Sequence, residues 1–174
     1  MEFFETVQKR RSIRQFTSQP VEQEKIEQIL EAALRAPTAR ATRSAEIVVV
    51  TNREMLQKLA NAKPMGAAFI AEAAVAMVVV ANTEKSGPAI EDAAIAAFSM
   101  QLAAQALGLG SCWSHMRDAS YDALISSSDY ICQALGIPRH LMIECVIAIG
   151  YAAEGKKSYA ATELGRDRIH YGQY

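Results

Sequence analysis

The stretch PAIEDAAIAAFSMQLAAQALGLGSCW, residues 88–113, decides how the rest of the chain must be arranged. From Ile90 to Leu107 it contains neither glycine nor proline, and its alanine, leucine, methionine and glutamine residues favour a helix. Apolar residues fall on every face of this helix, which is typical of a helix inside a protein or a membrane. Because Glu91, Gln101 and Gln105 argue against lipid, we predict a buried central helix in a soluble domain.

The predicted helix stops at Gly108, and the chain leaves it through the sequence Gly-Leu-Gly-Ser-Cys-Trp. Two glycines two positions apart allow a sharp turn or a close approach of the backbone to another group. A predicted strand, residues 111–116, follows directly. This junction is the first candidate for a ligand site.

Length and composition indicate one globular domain over residues 1–174. Apolar residues make up 51% of the chain, enough for a sizeable core, and the net charge of −1 gives no sign of a nucleic-acid or membrane partner. The N-terminus lacks the pattern of a signal peptide. Together with an odd number of cysteines, this predicts reduced thiols and a cytoplasmic protein.

Only one cysteine has a histidine at a metal-ligand spacing. Cys112 and His115 form a C-x-x-H pair, but no second pair exists, since His140 and His170 have no nearby partner. We therefore predict a buried thiol beside a loop histidine, and no metal site.

The remaining elements follow from apolar periodicity and turn residues. A serine, Ser127 or Ser128, is predicted to cap the last helix, and the polar tail from Ala152 to Tyr174 is predicted to contact a neighbouring subunit. Predicted helices cover residues 2–9, 22–35, about 52–59, and a segment through Ile131 and Leu135; predicted strands cover residues 47–51, 75–81 and 142–149.

The most strongly charged segment is Lys9-Arg10-Arg11-Ser12-Ile13-Arg14-Gln15-Phe16, with four cations and a hydroxyl within six residues. Ile13 and Phe16 interrupt the charges and have the character of anchors to a core. Guanidinium groups held in this way suit a phosphate, which accepts paired charged hydrogen bonds. The alternative is a basic surface turn, and this segment alone does not decide between them.

Five segments taken together resemble the nitroreductase family of FMN-dependent oxidoreductases, over nearly the whole chain. They are RRSIRQF (10–16), Ala-Pro-Thr (36–38), GLGSCW (108–113), IGY (149–151) and IHYGQY (169–174). The resemblance implies an α+β fold: a mixed, mainly antiparallel sheet flanked by helices in a three-layer α/β/α sandwich. It also implies an intertwined homodimer with FMN at the interface, touched by both chains.

The cofactor contacts implied by the resemblance fall in four segments. The first, which is expected to hold the FMN phosphate and ribityl chain, is Arg10, Arg11, Ser12 and Arg14. The second, which is expected to line the flavin from the second subunit, is Pro37, Thr38 and Ala39. The third, beside the isoalloxazine ring, is Trp113, Ser114, His115 and Met116, and the fourth, which completes the phosphate site, is Arg166 or Arg168. In the third segment, a backbone N–H near His115 or Met116 is expected to face flavin N5.

Two positions depart from the family's pattern. Ala41 stands where many members have an asparagine whose amide meets the flavin, and Ala45 stands where they have a tryptophan. The missing amide removes a hydrogen bond whose net value is about 1 kcal/mol.

The implied activity is transfer of hydride from NAD(P)H through flavin N5 to an electron-poor acceptor, such as a nitroaromatic or a quinone, by a ping-pong mechanism. The flavin supplies the chemistry, so no side chain is assigned as catalytic; Arg14 or Lys63 would stabilise the reduced ring. His115 is either a substrate contact at the flavin edge or a strand-end histidine bonded to backbone. Asp92 is expected to act as a charge at a helix start, and Lys156 as a solvated surface group.

Two other functions remain open from the sequence. One is a flavin-binding or flavin-consuming protein that does not turn over NAD(P)H, which the two alanine departures favour. The other is a regulatory domain without flavin, whose arginine segment binds a phosphopeptide or nucleotide.

Overall fold

The computed structural model describes residues 2–174 and contains five α-helices and four β-strands in that range. The helices are α1 (Phe3–Lys9), α2 (Gln23–Leu34), α3 (Arg53–Ala60), α4 (Ala89–Ala106) and α5 (Ser127–Leu135). The strands are β1 (Ala45–Val50), β2 (Val75–Ala81), β3 (Gly110–His115) and β4 (Met142–Gly150). Short 3-10 turns cover Ala39–Ala41, Ala68–Glu72, Ala161–Glu163 and Arg166–Arg168.

The strands form one sheet in the order β1-β2-β4-β3, with every neighbouring pair antiparallel. A parallel contact appears only as an isolated bridge between Ser12 and Ser111, within the described residues. The predicted α+β fold with a mainly antiparallel sheet is therefore confirmed. β1 and β3 are the two edge strands.

Strand β2 divides the core into two layers because its side chains alternate between the two faces of the sheet. Its odd-numbered residues, beginning at Val75, pack with α2 and α4, and its even-numbered residues, beginning at Ala76, pack with α3 and α5. Both faces are covered, so the strand is apolar throughout, as strands buried on two sides are. The result is the three-layer sandwich.

Helix α4 is buried on one face only. Alanines such as Ala93 and Ala97 are fully buried against the sheet and α2, whereas Ile95 is 42% exposed and Phe98 48% exposed. The prediction of a helix enclosed on all sides is wrong for this face of the single chain, because α2 and the sheet cover only the opposite side. No helix in residues 2–174 has the length and apolar character needed to cross a membrane.

The ends of the shorter helices are fixed by side-chain caps. The Asn52 side chain accepts from the Met55 backbone N–H at 3.0 Å, so Asn52 caps α3. Helix α5 is capped by Ser126, whose hydroxyl accepts from the Asp129 N–H at 2.9 Å, and not by Ser127 or Ser128 as predicted. Ser128 lies two positions after this cap, and its hydroxyl instead accepts from the Ile143 N–H at 3.0 Å.

The arginine-rich segment is attached to the sheet by backbone hydrogen bonds at both of its ends. The Ile13 N–H donates to the Ser111 carbonyl at 3.0 Å, and the Thr17 N–H donates to the Tyr151 carbonyl at 2.8 Å. The Ile13 and Phe16 side chains are both buried, which confirms their predicted role as anchors. Gly110 makes this docking possible, because a Cβ at that position would lie 2.9 Å from the Ile13 Cβ.

We predict that Gly110→Ala lowers the free energy of unfolding by about 1–3 kcal/mol, as overpacking against a rigid β-branched side chain does. Urea denaturation measures the change. Gly87→Ala is the matched control, since a Cβ there meets nothing within 4 Å. Equal stability of the two variants would show that Ile13 does not need the space beside Gly110.

Candidate functional site

A cationic pocket of about 180 Å³ lies where the arginine-rich segment meets the chain after β4. Ligand cavities usually measure about 300–1,000 Å³, so this one suits a phosphate-sized anion and not a whole nucleotide. Its walls are Arg10, Arg11, Ser12, Arg14, Lys156 and Tyr159. The structure thus brings together the four predicted phosphate contacts of the N-terminal segment.

A carboxylate, Glu154, holds the backbone of this pocket. Its Oε1 atom accepts from the Arg14 N–H at 2.6 Å and the Gln15 N–H at 3.3 Å, and lies 3.3 Å from the Lys156 Nζ. The hydrogen bond from the Arg14 backbone, together with Lys156, lowers the pKa of Glu154 below its ordinary value. Glu154 therefore stays ionised and joins the chain after β4 to the arginine-rich segment.

Lys156 is a member of the pocket that the sequence reasoning missed. Its ammonium group donates to the Ser12 carbonyl at 2.6 Å, so the expectation of a solvated lysine was wrong. Arg166 and Arg168, in contrast, lie on the last 3-10 turn and are not among the residues that line the pocket. A signal was available, since Lys156 follows the end of β4 closely, whereas Arg166 lies ten residues further along the chain. The assignment of Arg166 or Arg168 to the phosphate stays a prediction.

The tail is attached to the pocket through Arg11. The Arg11 guanidinium lies 4.0 Å from the centre of the Tyr159 ring and donates to the Lys157 carbonyl. Beyond this point most of the tail is exposed, including Ile169 and Tyr174.

Strand β3 leads from the cationic pocket to the second predicted group of site residues. Ser111, which forms a bridge with Ser12, lies at the pocket end of the strand. His115 follows four residues later, about 13 Å away at the rise of an antiparallel strand. The Met116 N–H donates inward to the Glu144 carbonyl at 3.0 Å. Since backbone groups of an antiparallel strand point alternately to its two sides, the His115 N–H points to the open edge of the sheet. Of the two backbone donors predicted to face a flavin, only that of His115 is suitably directed.

The segment after α3 borders this open edge. Lys63 Nζ donates to the His115 carbonyl at 2.7 Å, and the Ser114 hydroxyl donates to the Gly66 carbonyl at 2.9 Å. Partial burial lowers the pKa of Lys63. Phe69 lies 5.9 Å from the Arg14 guanidinium, which connects the same segment to the cationic pocket.

Of the three cysteines, Cys112 is the one in this strand. All three are free and buried, and burial raises the pKa of each thiol, most strongly that of Cys145. They are therefore unreactive core residues at neutral pH. No cluster of three or more His, Cys, Asp or Glu side chains suited to a metal occurs in residues 2–174.

The third predicted group, Pro37, Thr38 and Ala39, lies elsewhere in the chain. It precedes β1, the edge strand opposite β3, so three strand spacings, or about 14 Å, separate the two edges. A single chain does not bring this loop to the open edge of β3.

Asp92 fixes the conformation of this loop. Its carboxylate accepts from the Ala39 N–H at 2.9 Å and from the Ser44 hydroxyl at 2.6 Å, and the residue is only 3% exposed. The expected role, a charge at a helix start, misses these contacts, which join residues 48 and 53 positions apart and leave no local signal in the sequence.

The loop backbone is strained between these contacts. Arg40, Ala41 and Arg43 have φ angles of 51°, 55° and 51°, in the left-handed region. Asparagine adopts this region more readily than alanine, so Ala41 lacks both a side-chain amide and the residue type best suited to its backbone.

We predict that Asp92→Ala lowers the free energy of unfolding by about 1–3 kcal/mol, because it leaves the Ala39 N–H and the buried Ser44 hydroxyl without an acceptor. Limited proteolysis should cleave within residues 37–44 faster than in the parent protein. Glu91→Ala, at the exposed neighbouring position, is the control and should change neither measurement. Equal behaviour of the two variants would refute the tethering role.

Comparison with known proteins gives consistent results. The sequence profile described as the nitroreductase family matches residues 7–85 and 60–151. An FMN-dependent nitroreductase from Clostridium difficile R20291 is 40% identical, with a TM-score of 0.95 over 97% of this chain and 98% of that one.

Two curated proteins are also similar along most of their length. A protein of Methanothermobacter thermautotrophicus, assigned as an NADH dehydrogenase/NAD(P)H nitroreductase, is 34% identical over 98% of this chain and 86% of its own. An FMN reductase (NADPH) of Bacillus subtilis is 29% identical over 88% of this chain and 68% of its own. The predicted resemblance is confirmed: the chain belongs to the nitroreductase family.

Proposed function

We propose that this protein is an FMN-dependent oxidoreductase that passes hydride from NAD(P)H to an electron-poor acceptor such as a nitroaromatic or a quinone. The observation that carries the proposal is the alignment of the cationic pocket with the open edge of β3. The pocket lies at the Ser111 end of this edge, and the outward His115 N–H lies about 13 Å along it. The names of the relatives support the cofactor and the co-substrate.

The residues of the pocket fit a flavin mononucleotide. Three arginines and Lys156 offer enough charge for a phosphate dianion, and guanidinium groups can contact phosphate oxygens in pairs. The His115 N–H, which has no acceptor among residues 2–174, lies at the edge where the flavin ring would lie. When bound, FMN accepts hydride from one substrate and delivers it to the other.

Charge near the ring is the second contribution of the chain. The reduced flavin carries negative charge, which Arg14 or Lys63 would stabilise. Lys63 is held beside His115 by its hydrogen bond to that residue's carbonyl. The same exposed face would serve NAD(P)H and then the acceptor, which is a ping-pong cycle.

A second copy of the chain completes the site in this proposal. The exposed face of α4, with Ile95 and Phe98, is apolar and has no cover in one chain, as expected for a surface that meets another copy. Association through this face would supply Pro37, Thr38 and Ala39 from the partner and give the tail, residues 152–174, a surface to lie on. The three free cysteines fit a reducing, cytoplasmic environment.

A second candidate function is flavin binding without turnover of NAD(P)H. The strained backbone at Ala41, in place of the family's asparagine, favours it, because one expected flavin contact is missing.

Spectroscopy of the purified protein separates these functions. We predict a yellow protein that releases FMN on denaturation, bleaches with NADH or NADPH under anaerobic conditions, and recovers its colour on addition of menadione. Bound FMN that neither nicotinamide bleaches would contradict the oxidoreductase and support the second candidate. A protein that stays colourless in excess FMN would contradict both.

We predict that the double variant Arg10→Ala, Arg14→Ala is colourless but remains dimeric, because it loses phosphate contacts and keeps the apolar face of α4. Absorbance at the flavin band and sedimentation velocity measure the two properties. The double variant Lys58→Ala, Arg139→Ala removes two exposed cations outside the pocket and should keep its colour. Full flavin retention in the first variant would refute the phosphate assignment.

A further inference from the structure

Glu144 occupies a β-bulge that faces the end of β3. Val79 pairs with Cys145 and Val80 pairs with Ile143, so Glu144 between them has no partner on β2. A bulge of this kind redirects a side chain, and bulges are frequent beside active sites. The Glu144 side chain is only 5% exposed, which is unusual for a carboxylate.

The carboxylate of Glu144 meets two groups from the segment that follows the open edge. Its Oε2 atom accepts from Arg117 Nε at 2.9 Å, and its Oε1 atom lies 3.7 Å from His115 Nδ1, an ion-pair distance. Arg117 also pairs with Asp118, and Lys63 donates to the His115 carbonyl. Glu144, Arg117, Asp118 and Lys63 are thus the charged groups linked by these contacts to His115.

The His115 ring is placed between this carboxylate and the solvent. Its side chain is 45% exposed and stacks on Trp113 with ring centres 6.5 Å apart. With Nδ1 towards Glu144, the opposite nitrogen, Nε2, faces away from the buried carboxylate. The backbone N–H of the same residue points to the open edge of β3.

We propose that His115 donates the proton needed when the acceptor is reduced, and that Glu144 is the positioning residue that holds the ring with a proton on Nδ1. This proposal rests on the proposed function and adds a catalytic side chain to it. A histidine is well suited because it exchanges protons near neutral pH. The carboxylate lies on the Nδ1 side of the ring and orients it.

The step balances for a quinone acceptor. A hydride that originates from NAD(P)H would form a bond to one quinone oxygen, and the displaced electron pair would leave the other oxygen as a phenolate. The phenolate takes the Nε2 proton of the His115 imidazolium, which leaves the neutral Nδ1–H form. Nε2 regains a proton from solvent, so NAD(P)H, one proton and quinone give NAD(P)⁺ and hydroquinone.

Stopped-flow oxidation of the reduced protein by two acceptors tests the proton donor. Reduction of menadione consumes a proton. Reduction of ferricyanide consumes one electron and no proton. For His115→Gln we expect the ratio of the menadione rate to the ferricyanide rate to fall about 100-fold, the scale of a lost general acid. For Glu144→Gln we expect a fall of about 10-fold, as when a carboxylate that orients a histidine is lost.

The ring position has a readout that does not depend on activity. Nitrogen-15 NMR of the protein without substrate should show His115 protonated on Nδ1, with the signal assigned by its loss in His115→Gln. Glu144→Gln should shift His115 towards the Nε2–H form. Glu54→Gln, at an exposed glutamate on α3, is the matched control and should leave both the spectrum and the rate ratio unchanged.

The outcomes separate this proposal from the proposed function. Failure of NAD(P)H to bleach the parent protein would overturn the oxidoreductase itself. Normal bleaching with an unchanged rate ratio in His115→Gln, or an equal loss with both acceptors, would overturn only the proton donor. Because His115 is half-exposed, its variant should fold even if Glu144→Gln does not.

Discussion

The backbone pairing between the arginine-rich segment and the sheet is the constraint on which the rest of the site depends. The bond from Ile13 to Ser111 places cations at the start of β3, and the bond from Thr17 to Tyr151 attaches the same segment to the end of β4. The buried side chains of Ile13 and Phe16, on either side of Arg14, then anchor the segment to the core. Because these main-chain bonds, and those from the Arg14 and Gln15 N–H groups to Glu154, fix the segment, the charges need little further ordering when an anion binds.

Clustered like charges repel, and the structure reduces this cost with an acid from another part of the chain. Glu154 takes two backbone N–H groups of the segment and pairs with Lys156, which in turn bonds to Ser12. The pocket keeps its excess of positive charge while its backbone donors are satisfied. Glu144 and Asp92 are also buried carboxylates that join segments distant in sequence. Glu144 accepts from Arg117, and Asp92 accepts from Ser44.

Much of the fold could be predicted because its signals are local. The apolar run of β2, for example, coincides with its predicted bounds, 75–81. The rest depends on contacts that a sequence does not display. Both faces of α4 carry apolar residues, so apolar periodicity did not distinguish the exposed face from the buried one.

In the candidate site, too, local motifs could be predicted and contacts between distant segments could not. Arg10 to Arg14 stand out as a motif, whereas Lys156 enters the pocket only through the path of the chain after β4. The Glu144 carboxylate lies beside His115 because of a β-bulge in β4. This change of strand register could not be predicted from the apolar residues of β4.

The central claim is that the arginine-rich segment exists to neutralise the phosphate of a flavin nucleotide. Calorimetric titration of the flavin-free protein with FMN and with riboflavin, which lacks the phosphate, tests it most directly. Two charge-assisted hydrogen bonds at about 1.5 kcal/mol each correspond to about 3 kcal/mol, so FMN should bind about 100-fold more tightly than riboflavin. Equal affinity for the two flavins would contradict the claim.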